Sequence, residues 1–258
     1  VWRPLLAALA PRFRVLTWDY RGLYASAAPR RRDALSMEHQ VGDLVALLRH
    51  AHAEAPVLMG WSMGVQLALE LHREHPELAR GVVGLFGTAG RPFATAFDAA
   101  WPALVAPGVL AALRGAGTRF RGVGPRLARA PGVARAFVGA ARALGLMAPR
   151  LDLAAFTEVA EAWTGLDFEV YARHFEALDA HDAWDLLADI RTPVLLIAGG
   201  RDRLTPPRLA ERIARTIPDA DYALFAGATH FGLIEEPEAI AARVEAFFDT
   251  RLGIPRAP

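Results

Sequence analysis

The chain has 258 residues, 53% of them apolar, with 29 basic and 28 acidic side chains, no cysteine and no lysine. That composition excludes a thiol nucleophile, a Cys-ligated metal, disulfide staples, a Schiff-base lysine and the lysine of a phosphate-binding P-loop. A net charge of +1 gives no reason to expect a nucleic-acid partner. No stretch reaches the roughly 20 apolar residues of a membrane span; the longest candidate, Ala99 to Leu113, is broken by Pro102 and Pro107. No signal-peptide layout opens the sequence, so the expected location is cytoplasmic.

Trp2, Leu5, Leu6 and Leu9 fall on one helical face, and Pro11 ends that first helix. Arg14 to Tyr20 is rich in β-formers and predicts a strand, followed by a loop from Arg21 to Leu35 whose Arg30-Arg31-Arg32 run reads as a solvated face. Ser36 caps a helix running to about Ala53, with Val41, Leu44, Val45 and Leu48 at helical period. Pro56 to Met59 is a short apolar run, Gly60-Trp61-Ser62-Met63-Gly64 a sharp turn, and Val65 to His75 a helix. A buried strand follows at Gly81 to Phe86.

Strand and helix alternate again from Thr192 to Ala198 (strand), Pro207 to Thr216 (helix), Ala220 to Phe225 (strand) and Pro237 to Phe248 (helix). This alternation predicts an α/β fold, a mostly parallel sheet with helices on both faces. Between residues 91 and 185 it stops, and short apolar helices punctuated by Pro-Gly pairs take its place. The domain reading is therefore a core in two parts, 1–90 and 186–258, with an inserted helical cap at 91–185. From Ala99 to Leu151 that cap carries eight arginines and no acid, whereas Asp152 to Asp185 is acidic. The favoured reading is that the two halves neutralise each other, with arginine stems covering apolar helix faces; the other reading is a cationic lid.

Ser62 is one of three serines in the chain. It sits where a strand turns into a helix, the place from which a nucleophile projects above a sheet, and the helix that follows aims free N–H groups at a developing oxyanion. Glycines at 60 and 64 are expected to let the strand and helix backbones approach. A serine needs a base and the base an orienter. The loops after the last two predicted strands offer one group each: Asp202 in Gly200-Arg201-Asp202-Arg203-Leu204-Thr205-Pro206, and His230 in Gly227-Ala228-Thr229-His230. His39, His50, His52, His72 and His75 fall on or beside predicted helices and read as surface residues; His174 and His181 fall in the cap. Gly87 to Ala96 holds no alternative carboxylate.

The Gly60-to-Gly64 turn, the two loops and Glu235-Glu236-Pro237-Glu238 resemble the α/β-hydrolase fold superfamily, and Asp19-Tyr20-Arg21-Gly22 is similar to its D-x-R-G loop. The resemblance implies Ser62 as nucleophile, His230 as general base and acid, Asp202 as orienter of His230, and the Met63 N–H as one oxyanion donor. Asp19 reads as a structural loop-holder. Serine at the elbow argues against the haloalkane dehalogenase and epoxide hydrolase branches, which use aspartate there. The implied activity is hydrolysis of an ester or related acyl bond in a small-molecule substrate, with no metal or organic cofactor. Acyl transfer, perhydrolysis, carbon–carbon bond hydrolysis and a non-catalytic binding role share the same apparatus.

In that family a His-Gly loop and the strand before it precede the first amphipathic helix, and they supply the other oxyanion N–H. They are not in this sequence, so the expectation is an N-terminally incomplete chain, poorly stable and weakly active alone, whose second oxyanion donor is missing. Without that strand, Arg14 to Tyr20 and Pro56 to Met59 would lie two strand spacings apart, about 9.5 Å. The sheet is then either split there or closed up.

Overall fold

A computed structural model describes residues 1–119, 132–149, 151 and 153–254. In chain order the elements are α1 (Arg3–Leu9), α2 (Met37–His50), β1 (Val57–Trp61), α3 (Met63–Glu74), β2 (Gly81–Leu85), α4 (Pro92–Thr95), α5 (Trp101–Arg119), α6 (Val133–Ala143), α7 (Leu153–Thr164), α8 (Phe168–Ala180), β3 (Val194–Gly199), α9 (Pro207–Thr216), β4 (Ala220–Phe225), α10 (Gly232–Glu235) and α11 (Pro237–Leu252). The four strands form one parallel sheet in the order β1-β2-β3-β4.

The apolar runs dictate which strands are central. Every residue of β2 and of β3 is buried, as a strand covered on both faces requires. In β1 buried and half-buried residues alternate, and β4 is mostly half-buried. One face of the sheet packs on α2, α3 and α9 through Val41, Leu44, Leu69, Leu71 and Ile213. The other packs on α1 and α11 through Leu5, Leu9, Val244 and Phe247. The cap of α2 is as expected, with the His39 N–H donating to Ser36 Oγ at 3.5 Å.

Arg14 to Tyr20 is not a strand. Its β-forming composition is a preference for a pleated, half-buried surface, and a ladder needs a neighbour. Among the described residues β1 pairs only with β2, so no strand stands where this segment would join the sheet. Val15 and Trp18 are consequently 38% and 36% exposed. The segment ends in a braced loop: the Ala25 N–H donates to Asp19 Oδ2 at 3.1 Å, and the Ser26 hydroxyl to the Asp19 carbonyl at 2.7 Å. Arg21 closes it with paired bonds to Asp43 on α2.

Helices α4 to α8 interrupt the sheet between β2 and β3. The chain leaves and re-enters the core through one neck, where Gly90 and Asp182 form an antiparallel bridge and the Ala183 N–H donates to the Ala89 carbonyl at 2.8 Å. Gly90 is needed there, because a Cβ would lie 2.9 Å from the Asp182 Cα. The neck is pinned to α3 by His181, whose Nε2 lies 2.7 Å from Glu70 Oε2 and whose Nδ1 lies 2.9 Å from Gln66 Nε2. Arg114 on α5 pairs with Glu176 on α8, which joins the arginine-rich and acidic halves of the segment. Arg121, Arg126, Arg129 and Arg150 lie outside the described residues.

His72 departs from its surface assignment, and His174 of the cap is buried as well. His72 is 8% exposed and its Nδ1 has no partner among the described residues. His174 is 2% exposed, with its Nε2–H donating to the Arg21 carbonyl at 2.9 Å. Burial pushes both pKa values below the usual histidine range. Both groups are therefore held neutral in the fold, whereas in the unfolded chain each takes up a proton below about pH 6.5. Stability present above that pH is lost as pH falls. The melting temperature is expected to drop from about pH 7.5 to about pH 5.5, and His72→Leu should flatten that dependence; an unchanged slope in the variant would remove His72 from the explanation.

Candidate active site

The turn between β1 and α3 puts Ser62 at φ 54°, ψ −115°, a strained setting for a residue with a side chain. The turn is held by the Ser62 N–H donating to the Leu85 carbonyl of β2 at 2.9 Å, and the Val65 N–H to the Ser62 carbonyl at 3.0 Å. Gly60 is obligatory: a Cβ there would come within 2.2 Å of the Gly64 carbonyl group. Gly64 is not required in the same way, since its Cβ would meet only the Tyr20 hydroxyl at 3.6 Å. Gly87, beyond β2, is the second tight approach to the elbow, with a Cβ position 2.8 Å from the Ser62 carbonyl oxygen.

Asp202 follows β3 and His230 follows β4, so parallel strand order alone delivers both to the edge where β1 delivers Ser62. His230 Nε2 lies 2.9 Å from Ser62 Oγ, and His230 Nδ1 lies 2.9 Å from Asp202 Oδ2. Asp202 and His230 are 3% and 4% exposed. A carboxylate only accepts, so the imidazole carries its proton on Nδ1, and Nε2 presents a lone pair to the Ser62 hydroxyl.

Sequence reading did not single out the groups that fix this chain. Thr205 donates its hydroxyl to Asp202 Oδ2 at 2.7 Å, while the Leu204 and Thr205 N–H groups donate to Oδ1, each at 2.9 Å. The carboxylate is thus satisfied on both oxygens and aimed by its own loop. Glu235 holds the histidine loop by accepting from the Thr229 N–H and hydroxyl, each at 2.7 Å, and from the Ala148 N–H at 2.8 Å. Trp61 donates its indole N–H to the His230 carbonyl at 2.9 Å. The positions of Thr205 and Glu235, three and five residues beyond Asp202 and His230, were the available signal for both.

Helix α7 reaches the site through Phe156, whose ring meets Phe231 edge-on at 4.7 Å, and through Trp163 at 6.2 Å from the same ring. Phe231 in turn packs edge-on against His230. At the head of α3 no described residue accepts the Met63 N–H. Among the described residues there is no group of three or more His, Asp or Glu side chains placed to hold a metal ion, and no helix is long and apolar enough to cross a membrane.

A family model described as alpha/beta hydrolase fold matches residues 1–237. The chain belongs to that family. Its hydrolase-fold relatives include the pimeloyl-[acyl-carrier protein] methyl ester esterase of Yersinia enterocolitica, 27% identical over 96% of this chain and 87% of the esterase. It is also similar to the polyketide synthase ThaQ of Burkholderia thailandensis, 30% identical over 98% of this chain, which spans only 11% of that much longer protein. Among solved structures, the esterase EaEST from Exiguobacterium antarcticum shares the fold, with a TM-score of 0.75 at 18% identity over 96% of this chain and 87% of that one.

Proposed function

We propose that this α/β-hydrolase chain cleaves carboxylic esters of small-molecule acyl substrates through a covalent acyl-enzyme on Ser62. The observation that carries the reading is the continuous hydrogen-bonded series from Ser62 Oγ to His230 Nε2, and from His230 Nδ1 to Asp202 Oδ2, each link 2.9 Å long. The methyl ester esterase relative supports an ester as the bond cleaved.

His230 removes the Ser62 proton as Oγ attacks the carbonyl carbon, and Asp202 holds the imidazole in the required tautomer and stabilises the imidazolium that forms. The Met63 N–H, at the positive end of α3, donates to the oxyanion. His230 then protonates the departing alcohol, and in the second half-reaction activates the water that releases the acid. Residues 91–185 act as a cap over this chemistry. Their aromatic contact on Phe231, beside His230, supports a dry ceiling over the imidazole. The test is turnover: the purified protein releases acid and alcohol from methyl and short-chain acyl esters, and Ser62→Ala does not. Equal turnover by both proteins would refute the reading.

A further inference from the structure

Ser62 and His230 meet at 2.9 Å, yet they follow β1 and β4, which lie three strand spacings apart in the sheet, about 14 Å. No ladder joins those two strands, so their loops are set against each other by what lies between them. The exit of β2 touches both. On the serine side, the Leu85 carbonyl accepts the Ser62 N–H at 2.9 Å, and Gly87 makes room for the Ser62 carbonyl oxygen, 2.8 Å from where a Cβ would stand. On the histidine side, the Phe86 ring lies against Gly232: a Cβ there would be 2.1 Å from Phe86 Cζ and 2.6 Å from its Cε1. Gly232 ends the turn that carries His230, and its N–H closes that turn by donating to the Thr229 carbonyl at 3.2 Å.

Phe86 reaches Gly232 because its backbone leaves the strand pattern. Alternation along β2 puts Val82 and Gly84 on the face covered by α3, and Val83 and Leu85 on the face covered by α1 and α11. The next side chain would return to the α3 face. Phe86 instead takes φ 50° and joins Leu85 on the other side. A left-handed φ is a genuine outlier for a bulky aromatic, and it persists only where the surroundings fix it. Here the Phe86 N–H donates to the Ile197 carbonyl of β3 at 2.8 Å, and the residue is 1% exposed. Filling the core does not require this backbone. What the strain achieves is a rigid ring on the histidine turn, carried by the same three residues that hold the serine turn.

We propose that Phe86 is a positioning residue that sets the separation of Ser62 and His230, through a backbone fixed beside the elbow and a ring that bears on Gly232. The inference rests on the hydrolase reading above for its effect on turnover. Trp61 ties the His230 carbonyl to the elbow, and Phe86 supports the end of the turn two residues further on, so His230 is braced on both sides. Displacing the imidazole by about 1 Å is enough to cost about 10²-fold in rate.

The experiment pairs the two contacting positions. Gly232→Ala drives a methyl into the Phe86 ring, and Phe86→Leu removes Cζ and Cε1, the atoms that methyl would strike. With nitrophenyl butyrate, kcat is expected to fall about 10²-fold in Gly232→Ala with KM nearly unchanged, and adding Phe86→Leu restores most of it. A second readout needs no turnover: the ¹⁵N NMR shift of His230 Nε2, compared with and without Ser62→Ala. Removing the Ser62 hydroxyl moves that shift in the wild-type background, leaves it in place in Gly232→Ala, and moves it again in the double variant. Unchanged kcat in folded Gly232→Ala, a serine effect on Nε2 that survives there, or a loss that Phe86→Leu does not restore overturns the positioning role. Should Gly232→Ala not fold, Phe86→Leu alone decides: kcat falls about tenfold and the serine effect on Nε2 weakens, or the proposal fails. If no protein, wild type included, turns the ester over while the Nε2 pattern holds, the hydrolase reading falls and the positioning role stands.

Discussion

Ser62→Ala is expected to lower kcat for ester hydrolysis by about 10⁴ to 10⁶-fold while leaving the protein folded. The magnitude follows from what remains. The variant keeps the Met63 N–H and the His230–Asp202 pair, 2.9 Å apart, so binding and part of the electrostatic stabilisation survive. What disappears is the nucleophile, and water would have to attack from a position that nothing in the site organises. The fold is spared because the turn is held by backbone, through Ser62 N to Leu85 and Val65 N to the Ser62 carbonyl, and because Gly60 supplies the required close approach. Alanine also accepts the φ of 54° no worse than serine. Steady-state kinetics with an unchanged melting temperature checks both halves of this expectation.

Asp202→Asn is expected to reduce kcat by about 10⁴-fold with little change in KM. Asp202 accepts four hydrogen bonds, from the Leu204 and Thr205 N–H groups, the Thr205 hydroxyl and His230 Nδ1. The two backbone donors fix Oδ1 as an acceptor, so an asparagine there must turn its NH₂ towards Thr205 and His230. A donor facing Nδ1 drives the histidine proton to Nε2, and the imidazole then cannot take the proton of Ser62. Thr205 can reorient its hydroxyl, but the ring cannot recover its tautomer without losing the bond. The loss should ease at high pH, where hydroxide substitutes for the missing base; a pH-independent deficit would point to a distorted loop instead.

The parts of the molecule that were legible in the sequence are those written into contiguous residues. The parallel α/β architecture follows from apolar runs alternating with helical periods. The turn that holds Ser62, an acidic loop and a histidine loop each carry their group immediately after a strand. The structure brings Ser62, Asp202 and His230 into one hydrogen-bonded series because parallel strands share an exit edge. Arg14 to Tyr20 was illegible because a ladder is a property of two segments, and only one of them is visible in a local reading. Gly64 misled for a related reason: the close approach of strand and helix is met at Gly60, whose Cβ position faces the Gly64 carbonyl group, whereas the Cβ position of Gly64 faces only the Tyr20 hydroxyl, distant in sequence. The burial of His72 depends on how α3 is covered, which helical period alone does not specify.

The central claim, a covalent acyl-enzyme on Ser62, is tested most directly by intact-protein and peptide mass spectrometry after rapid mixing with nitrophenyl acetate and acid quench. The account predicts a transient acetyl adduct on the peptide containing Ser62, formed with a burst of nitrophenol and absent in Ser62→Ala. Ester hydrolysis without any adduct on that peptide, or with the same adduct in Ser62→Ala, would contradict it.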